Sequence, residues 1–420
     1  MSQITVDNKK REEQLKNLLN LTKETGTIKK SPFFTLKASQ KRAQLITNLF
    51  LQAYDKNSRV AFRNVIMPTE IFYAMNIIPL CVETVCALFA SSGISHTCLE
   101  TAEHNEYSRD ICSFTRCTLG AALEEYLPTP DLLACTSYYC DDSKKLFYAL
   151  SKKYNKKFFL LDVPYSDEDE QAVDYLEFQL KSMTEEIEKI TNKKMDPGKL
   201  KETIGLSNEA RHYFTKVNEL RMHVPSPVPG GEAIDYAALL ASTWGSREIV
   251  DIYKTLYEEV KEKTENPSRS EGNPRIRILW RHLRPYYNDT LFNFIENECG
   301  ADIAFEEVNC IHWDEMDPDD PYRSLARKLI TNPGVGDIQR WTNVTLDFID
   351  KYAIDGVISF NHWGCRQLCS TEGILKDILT QKGVPLIQIG GDCIDKRDFS
   401  FQQLKTRIQA FLEMIKENKI

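Results

Sequence analysis

The chain has 420 residues, which suits two or three domains at roughly 100–200 residues each and allows a large core without disulfide staples. Its composition, 42% hydrophobic and 27% charged with 18 Gly and 17 Pro, excludes the disordered and fibrous classes. A net charge of −8 with basic residues scattered along the chain argues against nucleic acid or an anionic membrane as a partner. Twelve Cys are the unusual feature. Met1 leads into the polar run SQITVDNKKREEQ, unlike a secretory signal, and no apolar run reaches the roughly 18 residues a membrane span needs. A cytoplasmic location is therefore expected, where thiols stay reduced and read as metal ligands or core residues.

In chain order, residues 1–56 predict a helical arm, with Leu and Ile at three- and four-residue spacings in NKKREEQLKNLLNLTKE and SQKRAQLITNLFLQAY. Residues 57–165 alternate short β-rich and helical runs: RVAF, PTEIFYAM, IIPLCVE, VCALFASSG, CSFTRCTLGAALEEYL, DLLACTS, KKLFYALSKKY and KFFLLDVP. Residues 166–272 break the rhythm with long helical stretches, the last of them DYAALLASTWGSREIVDIYKTLYEEVKEK, separated by Pro-rich turns such as VPSPVPGGE. Alternation resumes over 273–420 through PRIRILW, ADIAFEEV, DGVISF and VPLIQI, ending in the helix FQQLKTRIQAFLEMIKE. The expected fold is α/β: two Rossmann/flavodoxin-like parallel-sheet domains with an N-terminal helical arm and a helical insert.

In open parallel sheets, ligands gather beyond the carboxyl ends of the strands. Cys81, Cys140, Cys365 and Cys393 follow strand runs. Cys112 and Cys117 open the helix before the strand that leads to Cys140, and Cys369 lies one turn after Cys365. Cys86, Cys98, Cys135, Cys299 and Cys310 read as core or loop residues, and Cys81 is balanced between the two roles. No compact C-x2-C pair marks a zinc ribbon or a small ferredoxin. There is no G-x4-G-K-[ST], G-x-G-x-x-G, H-E-x-x-H or G-x-S-x-G; NPGVGD at 332–337 reads as a turn. RHLRPYY at 281–287 fits either a basic and aromatic lining for a coenzyme A ester or a cluster of loop salt bridges.

Three segments carry a family resemblance: CSFTRCTLGAALEEYLPTPDLLACTSYYCD at 112–141, DGVISFNHWGCRQ, and VPLIQIGGDCIDKRDFSFQQLKTRIQAFLEMI. Together they resemble the 2-hydroxyacyl-CoA dehydratase and benzoyl-CoA reductase family over about 57–418. The resemblance implies a [4Fe–4S] cluster held by Cys112, Cys140 and Cys365. The additional Cys117, Cys369 and Cys393 are similar to the double-cubane cluster branch, which implies six thiolates around an [8Fe–9S] cluster. It further implies an enzyme, here expected as a homodimer. Such an enzyme takes low-potential electrons from a separate dimeric ATP-hydrolysing iron–sulfur activator and reduces a small-molecule substrate. The alternatives are a single-cluster subunit of a dehydratase or benzoyl-CoA reductase, and a non-catalytic electron-storing subunit. Glu70, Glu83 and His362, each beside a strand end or ligand loop, are the candidate proton sources; helix capping for Glu70 and backbone hydrogen bonding for the other two are the plainer alternatives.

Overall fold

The computed structural model describes residues 13, 35–165, 169–266, 275–288, 290–397 and 399–418; the expected arm before residue 35 otherwise lies outside them. The first sheet contains β1 (Arg59–Arg63), β2 (Ile77–Cys81), β3 (Leu132–Thr136) and β4 (Phe158–Leu161), all parallel in the order β2-β1-β3-β4. The second contains β5 (Arg277–Arg281), β6 (Asp302–Glu306), β7 (Gly356–His362) and β8 (Leu386–Gly391), all parallel in the order β6-β5-β7-β8. Counted from its own first strand, each sheet has the same order. The chain is thus α/β with two Rossmann-like units. β3 reads LLACT and is buried throughout, as expected of a parallel strand covered on both faces. In each sheet the strand order reverses between the first and third strands, which opens a crevice at their carboxyl ends.

Three long helices, Glu170–Thr191, Pro197–Leu220 and Arg247–Glu265, lie between the units in sequence. Asp169, Asp196 and Ser246 cap them by accepting from the amides of Ala172, Gly198 and Ile249. The last helical stretch expected from sequence is broken at 243–246. Gly245 adopts φ +90°, a left-handed conformation that ends the preceding short helix, and Ser246 restarts the chain as a cap. The break aims Trp244 inward, where its carbonyl accepts from Thr69 Oγ1 at 2.6 Å.

Helix Lys37–Gln52 is strapped to this layer, because the amides of Lys37 and Ala38 donate to Glu259 (2.9 and 3.0 Å) and Arg42 pairs with Asp235 (3.2 Å). One apolar cluster spans both units, joining Phe62 and Leu133 to Trp280 and Phe360. Among the described residues no helix is long and apolar enough to cross a membrane.

Candidate functional site

Three cysteines occupy the same local position. Cys112 precedes helix Ser113–Leu123, Cys140 precedes helix Asp141–Tyr154, and Cys365 precedes the short helix Arg366–Cys369, each as the N-cap residue. Unpaired amides of the first turn lie beside each sulfur: Phe114 and Thr115 for Cys112, Asp142 and Ser143 for Cys140, Gln367 and Leu368 for Cys365. Each set favours the thiolate. Burial opposes them and wins, holding the Cys112 thiol well above its ordinary value and pushing Cys365 up to about 12. The three thiols also act on one another: Cys140 and Cys365 raise Cys112, and Cys140 raises Cys365.

Cys112 and Cys140 come from the first unit and Cys365 from the second, so their meeting depends on how the units close. Gly364 is the contact point, since a Cβ built there would lie 2.4 Å from the Cα of Cys112. Only glycine lets the two backbones approach this closely. The loop after β8 is fastened to the same helix: Ser113 Oγ donates to Asp392 Oδ1 at 2.6 Å and Arg116 pairs with Asp395 at 3.4 Å. The amide of Cys112 donates to Asp142 Oδ2 at 3.1 Å.

The remaining expected ligands are placed differently from one another. Cys393 is fully buried and its thiol feels those of Cys112 and Cys365. Cys369 is exposed, beside Cys365, with its sulfur 3.5 Å from the carbonyl of His362. Cys117 is turned away from this group. It is 0% exposed and its thiol is engaged with Cys86 and Cys98 in the helical core. Five residues along a helix rotate a side chain by about 140°, so Cys117 cannot share the face of Cys112. Among the described residues no three ligand side chains close around a single metal ion. Buried thiols that hinder one another's ionisation would be held as thiolates by a cation placed among them.

The family model described as 2-hydroxyglutaryl-CoA dehydratase, D-component, matches residues 64–415, a span that takes in all of these cysteines. The chain belongs to the 2-hydroxyglutaryl-CoA dehydratase D-component family. Similar members of this dehydratase family include the (R)-2-hydroxyisocaproyl-CoA dehydratase alpha subunit of Clostridioides difficile, 25% identical over 90% of this chain and 95% of its own. The (R)-phenyllactyl-CoA dehydratase alpha subunit of Clostridium sporogenes is 23% identical over 88% of this chain and 92% of its own. A benzoyl-CoA reductase subunit of Thauera aromatica is 21% identical over 76% and 79% respectively.

In this dehydratase-family chain a cavity of about 800 Å³ lies between the units. Glu83 lines it, accepts from Cys81 Sγ at 3.3 Å and lies near Cys140. Burial raises the Glu83 carboxyl above its ordinary value and so favours its protonated form. Glu70 is 0% exposed and sits behind the wall, accepting from Lys328 Nζ (2.7 Å) and Ser207 Oγ (3.0 Å). The wall residue is Lys328, whose ammonium stands 4.9 Å and 4.6 Å from the rings of Trp244 and Trp313. His362 is buried against Cys112.

Within RHLRPYY, Arg281 pairs with Glu307 and Glu372 and Arg284 with Asp235, while His282, Leu283, Arg284 and Tyr286 also line the cavity. Lys328, Trp244 and Tyr139, none of them singled out as site residues from the sequence, all stand on the cavity wall; His282, also there, lies within RHLRPYY. Tyr139 and His282 hold positive φ values of 83° and 70°, a costly backbone state for such residues that clusters at functional sites. No motif announces Lys328 or Trp244; Tyr139 stands next to Cys140, and His282 lies in a string already read as a possible lining.

Proposed function

We propose that this chain is the reducing component of a two-protein system, taking low-potential electrons from a separate dimeric ATP-hydrolysing iron–sulfur protein and passing them to a small molecule. The observation that carries this reading is the convergence of Cys112, Cys140 and Cys365, three helix-capping thiols from two units, next to a large cavity. These residues would hold an iron–sulfur cluster, and when bound it supplies single electrons at low potential.

The chain's own residues do the rest. Trp244, Trp313 and Trp341 give the cavity an apolar wall against which a substrate can pack. Glu83 keeps a proton on its buried carboxyl beside the Cys140 loop and delivers it as the substrate is reduced. Glu70 orients Lys328 rather than reaching the cavity itself. Arg284 is paired with Asp235, yet Arg284 and Tyr286 line the cavity, so RHLRPYY serves both readings and does not favour a small substrate over a thioester.

A second reading, the [8Fe–9S] double cubane, is supported by Cys393 beside Cys112 and Cys365 and by Cys369 beside Cys365. With Cys117 facing the core, the sixth thiolate would come from Cys81, which caps helix Val82–Ser92 just as Cys112 caps its own helix. Anaerobic purification followed by iron and acid-labile sulfide analysis separates the readings: about four irons per chain for one cubane and about eight for two. Absence of iron, or substrate reduction without the ATPase partner, would overturn the proposal.

A further inference from the structure

His362 ends β7 and is 1% exposed, and both of its ring nitrogens are committed. The backbone amide of Cys393 donates to Nδ1 at 3.3 Å, so Nδ1 must carry the lone pair and the proton of the neutral ring belongs to Nε2. The carboxylate next to Nδ1 does not reverse this. Asp392 Oδ1 is 3.9 Å away, beyond hydrogen-bonding distance, and already accepts from Ser113 Oγ, the Ile394 amide and the Asp395 amide at 2.6, 2.7 and 2.8 Å. Nε2 faces the sulfur of Cys112 at 3.3 Å. Phe114 packs edge-on against the ring at 5.6 Å and His282 stacks on it at 6.3 Å with a 13° tilt, which fixes its orientation.

We infer that His362 is a fixed N–H donor to the Cys112 sulfur, a positioning residue that makes a cluster bound there easier to reduce. The physical reason is that a hydrogen bond to a ligand thiolate draws off electron density and stabilises the added negative charge of the reduced state. This role differs from that of a proton source, because the Nε2 proton points at sulfur and an amide occupies Nδ1. The inference rests on reading Cys112 as a cluster ligand.

The test is a redox titration of the anaerobically purified holoprotein beside its His362→Phe variant, which keeps a ring against Phe114 but has no N–H. The midpoint reads how much stronger this bond is to the reduced cluster than to the oxidised one; a difference of about tenfold, at the low end of the whole worth of a hydrogen bond to a charged group, makes the variant with full iron about 59 mV more negative for one electron. An unchanged midpoint at full iron overturns the inference while leaving the cluster reading intact. If the variant loses its iron, electron–nuclear double resonance on the reduced, unaltered protein with 15N-labelled histidine decides. A coupled imidazole nitrogen is expected, and its absence overturns the inference. An unaltered protein without iron removes the cluster reading and this inference with it.

Discussion

Single residues control whether the two units can share a site. Replacing Gly364 by Ala would set a methyl group 2.4 Å from the Cys112 backbone, and since backbone cannot swing aside as a side chain does, the loop carrying Cys365 must retreat. The expected cost is about 1–3 kcal/mol of stability, as for overpacking elsewhere, with iron content falling below half; thermal melts and iron analysis of Gly364→Ala check this. Glu83→Gln keeps an oxygen acceptor but carries no acid proton. Turnover should fall roughly 100-fold while iron stays constant, and equal turnover would remove Glu83 as the acid.

Glu296, on the cavity wall, accepts from the amides of Gly230 (2.8 Å) and Gly231 (3.5 Å), and burial raises its carboxyl to about 7. A carboxyl whose folded value lies above its unfolded one binds more protons when folded, so stability falls as pH rises from about 4.3 toward 7 and then levels. Glu296→Gln should flatten melting temperature across that window and raise it at pH 8, read by calorimetry in parallel buffers.

At the scale of elements, the distinction that matters is where a cysteine sits on its helix. Cys112, Cys140 and Cys365 are N-cap residues and face first-turn amides, whereas Cys117 lies in the second turn, among Cys86 and Cys98. Ser in place of Cys112, Cys140 or Cys365 should therefore lose most of the iron. Cys117→Ser should keep the iron and lower stability by about 1–3 kcal/mol, the cost of burying a poorly satisfied hydroxyl. Equal iron loss in all four variants would return Cys117 to the ligand set. Capping and helical rotation are both local signals, so the separation of Cys117 from Cys112 was legible in the sequence. The six-thiolate set, Cys117 included, came instead from the family resemblance.

For the whole molecule, the site is built from both sheets, so cluster binding and the closure of the units should be thermodynamically linked. A group bound only by the closed fold adds its binding free energy to stability. Anaerobically matched samples with and without iron should melt apart, the iron-free one lower; coincident transitions would contradict the linkage. The chain alone should not hydrolyse ATP, and substrate reduction should appear only on adding the ATPase partner, ATP and a strong reductant. Light scattering of the purified chain tests the expected homodimer, with a monomer mass as the contrary result.

The sequence by itself determined the α/β alternation, the long helical layer after the first sheet and the place of Cys112 at a helix start, because hydrophobic period and helix start signals are written within a few residues of one another. It overran the helix broken at Gly245, since a left-handed glycine inside a helical pattern leaves no trace in periodicity. Only the tertiary structure decided that Gly364 rests on Cys112, that Glu70 is spent on Lys328, that the arginines of RHLRPYY are ion-paired while Tyr286 lines the cavity, and that His362 points its Nε2 at sulfur. Each of these joins residues far apart in sequence, most of them across the closure of the two units, and such contacts depend on packing, which local pattern does not encode.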